Sequence, residues 1–138
     1  MGLVLDTGVL LAAIEPRDDH HGSCAELLQS VTETRVVPSP VLVELEYLLR
    51  QAGDANAFRH FLADADRGAF KIDPLLREDY VRVSELLETY ADLRLGFVDA
   101  AVLAVTERLR EPKLATLDHR HFQVLRPRHV GSLELLPA

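Results

Sequence analysis

Strand-like apolar runs alternate along this chain with longer segments of helical spacing. The runs are Leu3–Leu5, Arg35–Val37, Ala69–Ile72, Lys113–Thr116 and Leu133–Leu136. Each is a few residues long, and most are bounded by turn formers, the pattern of short buried strands. The apolar residues after Asp6 read as a first helix. His20–Ser30 then carries Cys24, Leu27 and Leu28 on one face. Ser39 is a good N-cap followed by proline at the first helical position, so Pro40–Gln51 is predicted as a helix stopping at Gly53. Asn56–Arg67, Leu76–Leu93 and Phe97–Leu109 follow; the second has Tyr80, Val83, Leu87 and Tyr90 at helical spacing, and Pro112 closes the third. Strands alternating with helices predict an α/β fold of three layers, with a largely parallel central sheet covered on both faces. No repeat, low-complexity tract or linker interrupts the pattern, so residues 1–138 read as one domain.

In an open parallel sheet, ligands bind in the crevice beyond the carboxyl ends of the strands. Two strands of this chain end there in a carboxylate. Asp6 closes the first, in "GLVLDTGVLLAAI", and Asp118 follows the fourth, in "ATLDHRHF". Either residue alone is explained by helix capping; its repetition at two strand ends is harder to explain that way. Two helices add acidic residues in apolar surroundings. In "VLVELEYLL" both Glu44 and Glu46 fall on the flanks of the apolar stripe, and periodicity does not choose between them. Asp99 sits among Phe97, Val98, Ala100, Ala101, Val102 and Leu103. A first-turn carboxylate suits the helix dipole, yet these neighbours are unusually apolar for a solvated one.

Carboxylates gathered in one crevice raise one another's pKa. A hard divalent cation such as Mg2+ or Mn2+, which takes oxygen ligands, relieves that repulsion. No competing apparatus is visible: there is no Gly-rich phosphate loop and no G-x-S-x-G, and Cys24 reads as a buried helical residue.

Charge sharpens the picture. The 22 acidic residues outnumber 15 Lys plus Arg, for a net charge of -7, which argues against broad electrostatic binding of nucleic acid. It leaves room for an enzyme that holds metal ions among carboxylates. No apolar run approaches the length of a membrane span, the start lacks the pattern of a signal peptide, and the single cysteine forms no internal disulfide. The expectation is a cytoplasmic protein.

Four stretches, "LDTGVLLA", "SPVLVELEYLL", "YADLRLGFVDAAVLAVTERL" and "ATLDHRHF", together resemble the successive motifs of PIN-domain ribonucleases, and among them the VapC-type toxins of bacterial toxin–antitoxin pairs. The resemblance runs from Leu3 to Phe122 in order and spacing. It implies an α/β/α PIN-like fold and an endoribonuclease that hydrolyses RNA phosphodiester bonds with a metal-activated water. It implies an acidic quartet of Asp6, Glu44, Asp99 and Asp118 holding Mg2+ or Mn2+. Glu44 is preferred to Glu46 because the family glutamate is followed directly by an aliphatic residue, here Leu45. Asp92 matches a frequent acidic position and is expected to support the quartet without ligating; Thr7 and Thr116 are expected to orient carboxylates through their hydroxyls. Gly8 departs from the serine of many relatives. The implied partners are an RNA substrate, a cognate antitoxin and a second copy of the chain in a homodimer. The acidic site would attract an arginine fork, so an antitoxin segment is expected to thread a groove into it; Val9, Leu10, Leu27, Leu28, Leu48 and Leu49 are each read first as ordinary core, with some of them available to line that groove.

The histidines carry less. His20-His21 lies in a polar connection, and His119 with His121 spans a short loop; neither shows a zinc-site spacing. They read as solvated, with His121 available to pack the turn after Asp118. A receiver domain would want an acidic pair after the first strand, and a haloacid-dehalogenase-like phosphatase a second Asp where Gly8 stands. A non-catalytic PIN-like binding module stays as the alternative, together with another divalent-metal phosphotransfer domain.

Overall fold

The computed structural model describes residues 1–138. Five parallel strands form one sheet: β1 (Gly2–Leu5), β2 (Thr34–Pro38), β3 (Lys71–Asp73), β4 (Lys113–Ala115) and β5 (Glu134–Leu136), in the order β3-β2-β1-β4-β5. All five expected strands are present. The third begins two residues later than its apolar run, because Ala69 and Phe70 precede the paired segment. The chain moves outward from β1 through β2 to β3, then returns across β1 to β4 and β5. Seven helices make the connections along this path. Those helices are α1 (Thr7–Ile14), α2 (His21–Ser30), α3 (Ser39–Gln51) and α4 (Ala55–Asp66), then α5 (Arg77–Thr89), α6 (Phe97–Arg108) and α7 (His119–Val124). No helix is long and apolar enough to cross a membrane.

Leu3, Val4 and Leu5 of β1 are completely buried, as is the α6 run from Ala100 to Leu103. That is why β1 and α6 show no polar alternation: one is the central strand, the other packs its whole middle inside. Gly2 is required by close approach, since a Cβ there would lie 2.9 Å from Val36 Cγ2. Gly53, at φ +82°, ends α3 in the left-handed conformation that stops helices.

Three local expectations need correction. Ser39 does not cap α3. It is the first helical residue, with Pro38 at the cap and no side-chain cap bond, so Pro40 falls at the second helical position. The helix expected over Leu76–Leu93 ends at Thr89, and a 3-10 turn covers Ala91–Leu93. Its buried edge is Val83 with Leu86, while Tyr80 and Leu87 face outward. The stretch after Asp118, read as a loop, is α7.

The return from β3 to β4 is tied by buried ion pairs. Arg108 bonds Asp73 at 2.9 Å and Asp79 at 3.0 Å, and Arg82 forks onto Glu107 at 2.7 and 2.9 Å. These lie at the C-terminal end of α6. Asp99, nine residues earlier, is about 14 Å away along the helix axis at 1.5 Å per residue. These two largely buried arginines are thus committed away from the strand-end crevice.

Candidate metal centre

The strand order reverses at β1, which pairs in parallel with both β2 and β4, and the crevice beyond the carboxyl ends of β1 and β4 is the topological switch point of the sheet. Asp6 leaves β1 there and caps α1. Its backbone N–H donates to the Ala115 carbonyl of β4 at 2.9 Å, which ties the two strand ends together. Its Oδ1 accepts the Thr7 N–H at 2.8 Å, and its Oδ2 accepts the Thr116 hydroxyl, also at 2.8 Å. The same hydroxyl accepts the Asp118 N–H at 3.0 Å. One threonine thus links the two strand-end carboxylate residues.

The capping reading of both residues is correct as far as it goes, since Asp118 accepts the His121 N–H at 3.2 Å as the cap of α7. It is incomplete. Asp6, Glu44, Asp99 and Asp118 all line one open cleft of about 350 Å³, with Thr7, Gly8 and Leu117 completing the wall. Four distant segments therefore converge on the crevice. Glu46 does not line the cleft: it pairs with Arg50 on the exposed side of α3, at 2.9 Å. Tertiary placement makes the choice that periodicity left open.

Electrostatics follow from this crowding. Burial, then the charge of Asp99, pushes Asp6 up to about 7, against the pull of its two hydrogen bonds; Glu44 adds to the rise. Asp99 is also raised, first by burial, then by Asp118 and Glu44, with His121 partly offsetting. A nearby cation would favour the ionised form of both Asp6 and Asp99.

The donor set fits a hard divalent cation: carboxylate oxygens from four segments, with no Lys or Arg side chain lining the cleft. One further polar atom is unspent. The Thr7 hydroxyl is buried and has no hydrogen-bond partner. It does not orient a carboxylate as expected; only its backbone N–H reaches Asp6, while Thr116 does orient one. Asp92 is exposed in the 3-10 turn and lies outside the cleft lining. Gly8 has room for a side chain, since a Cβ would meet only Leu117, at 3.8 and 3.9 Å.

His121 is the residue that sequence reasoning undervalued. Its Nδ1 lies 2.7 Å from Asp118 Oδ2, and candidate ligand atoms of Asp99, Asp118 and His121 lie within 4.8 Å of one another. The available signal was the spacing D-x-x-H, which puts a polar side chain three residues after a helix cap, as in a capping box. The apolar residues considered for a partner groove are mostly ordinary core. Val9, Leu10 and Leu49 are fully buried core, and Leu27 and Leu28 pack against that core. The exposed apolar groove instead involves Val43, Tyr47, Tyr80 and Phe97, and Glu44 lines both it and the acidic cleft.

A parallel five-stranded sheet with four acidic residues at its switch point defines an α/β domain of nuclease type, and the chain belongs to the PIN-domain family, whose pattern matches residues 3–126. Among curated proteins it is similar to Ribonuclease VapC26 of Mycobacterium tuberculosis, at 29% identity over 98% of this chain and 100% of the relative. Its fold is similar to that of Mycobacterium tuberculosis VapC20, described as a sarcin-ricin loop cleaving toxin: TM-score 0.75, 20% identity, covering 81% of this chain and 86% of that one. A toxin–antitoxin complex from Klebsiella pneumoniae has TM-score 0.67 at 18% identity, over 89% and 92% of the respective chains.

Proposed function

We propose that this protein is a divalent-metal-dependent endoribonuclease acting as the toxin of a type II toxin–antitoxin pair. The observation that carries the reading is the convergence of Asp6, Glu44, Asp99 and Asp118 on one cleft. Membership of the PIN-domain family and similarity to a named ribonuclease over nearly the whole chain support RNA as substrate. The four carboxylates are the residues that would hold Mg2+ or Mn2+. A cation bound there supplies activation of water and stabilisation of the leaving oxygen in phosphodiester hydrolysis. The chain's own part is positional: Thr116 aligns Asp6 and His121 engages Asp118. Carboxylates gathered in one cleft repel RNA phosphates, and a cation bound among them would reduce that repulsion locally.

The same charge supports the partner. An antitoxin arginine can fork onto two carboxylate oxygens of the cleft and displace the cation. The exposed apolar groove beside Glu44 supports a protein partner face, consistent with a homodimer. An RNA substrate and a co-encoded partner belong to the cytoplasm.

The test is to purify the protein alone and with the product of the small open reading frame beside its gene. Sedimentation should give twice the 15.4 kDa chain mass; a monomer would remove the homodimer. RNA should be cut in Mn2+ and spared in excess chelator or in the complex. Cleavage in excess chelator would overturn the metal mechanism, and an inert neighbouring product would overturn the toxin–antitoxin reading.

Glu44 and Glu46 give a second check. Glu44→Gln is expected to weaken Mn2+ binding by at least about tenfold, the lower end of what even a ligand's supporting partner costs. Glu46→Gln should leave it unchanged, because its charge is spent on Arg50. Calorimetric titration of both variants decides, and equal losses would contradict the assignment.

A further inference from the structure

We infer that His121 is a positioning residue of the acidic cleft, holding the Asp118 carboxylate toward Asp99 as a hydrogen-bond donor and not as a ligand. The inference rests on the reading of the cleft as a divalent-cation site. Both oxygens of Asp118 are engaged by this one residue: Oδ1 by the His121 backbone N–H at 3.2 Å, Oδ2 by its ring Nδ1 at 2.7 Å. The Asp118 N–H is held in turn by the Thr116 hydroxyl at 3.0 Å. The carboxylate is therefore gripped at its own backbone and at its tip.

This grip is not a consequence of burial. The His121 and Asp118 side chains are 43% and 38% exposed, so an unsupported carboxylate here would rotate freely. Helix capping needs only the backbone bond to Oδ1; the ring bond is additional. A carboxylate oxygen only accepts, so the 2.7 Å bond to Asp118 requires the ring tautomer that carries its proton on Nδ1. Nδ1 then has no lone pair for a metal, and Nε2 lies across the ring from the carboxylate. Donor support of an acidic ligand raises metal affinity by reducing the orientational freedom lost on binding.

The experiment compares Mn2+ affinity by calorimetry for wild type, His121→Ala, His121→Asn and His121→Gln, with the metal-free melting temperature of each. Asn carries an N–H near the Nδ1 position, whereas Gln moves it outward. We expect His121→Ala and His121→Gln to bind Mn2+ about tenfold more weakly and His121→Asn to bind close to wild type. Pulsed EPR of Mn2+-loaded wild type should show no directly bound nitrogen. Wild-type affinity in His121→Ala, no rescue by Asn, or a directly bound nitrogen would each overturn the inference while leaving the metal site standing. Failure of wild type to bind Mn2+ would overturn both. If the alanine variant does not fold, the Asn and Gln pair decides.

Discussion

Asp99→Asn is expected to lose roughly a hundredfold to a thousandfold of RNA cleavage, the usual cost of removing one preorganised electrostatic group from a reaction centre. It should do so without unfolding. Asp99 stands in the first turn of α6, partly buried, and the influences on it are burial and charges: Asp118 and Glu44 raise its carboxyl, His121 lowers it. Asparagine keeps the shape and removes a charge that its neighbours oppose. The metal-free variant should therefore melt higher than metal-free wild type near neutral pH, and Mn2+ should stabilise wild type far more. Calorimetric melts with and without Mn2+, beside a cleavage assay, test both halves. Full cleavage by the variant would remove Asp99 from the reaction. A fall in metal-free melting temperature would show that its charge is structurally required.

Asp6 gives the larger stability effect. Its carboxyl titrates near 3.8 in an ordinary environment and is pushed up to about 7 here, chiefly by burial. Between those values the folded protein binds more protons than the unfolded chain, so stability falls as pH rises, and the loss is complete above about pH 7. Three pH units correspond to about 4 kcal/mol. Metal-free Asp6→Asn and wild type should be similarly stable near pH 4 and should separate progressively up to pH 8, with the variant higher. The asparagine can still accept the Thr7 N–H, and its amide can donate to the Thr116 hydroxyl, so the packing survives. Saturating Mn2+ at pH 8 should close the gap by stabilising wild type alone, through preferential binding to the folded state. Denaturant melts across pH provide the measurement. Parallel curves would mean that Asp6 is ionised in the folded protein at no cost.

Much of this protein was legible from local pattern. Period and punctuation marked all five strands, since a completely buried β1 or a two-sided β4 has no reason to alternate, and Gly53 stopped α3 through its positive φ. Asp6, Asp99 and Asp118 stood out because a carboxylate at a strand end or among small apolar residues conflicts with its surroundings. The family resemblance ordered these residues and added Glu44. Boundaries were less legible. Proline after Ser39 was compatible with two caps, and Tyr80 of α5 matched a helical period without facing the core.

What tertiary structure alone decided is where equivalent side chains point and what they meet. Glu44 and Glu46 are two residues apart on the flanks of one helix; only packing of α3 against the rest turns the first into the cleft and the second toward Arg50. Thr7 and Thr116 are both buried hydroxyls beside Asp6, yet one bonds it and the other bonds nothing. His121 looked solvated until α7 formed and brought its ring against Asp118. The raised pKa of Asp6 arises from burial at the end of β1 and from Asp99, 93 positions along the chain. A sequence encodes elements through short-range periodicity, and this chain's acidic residues at strand ends. Distances between groups far apart in the chain, and the fields they create, exist only once the sheet has closed and the crossovers have brought those ends together.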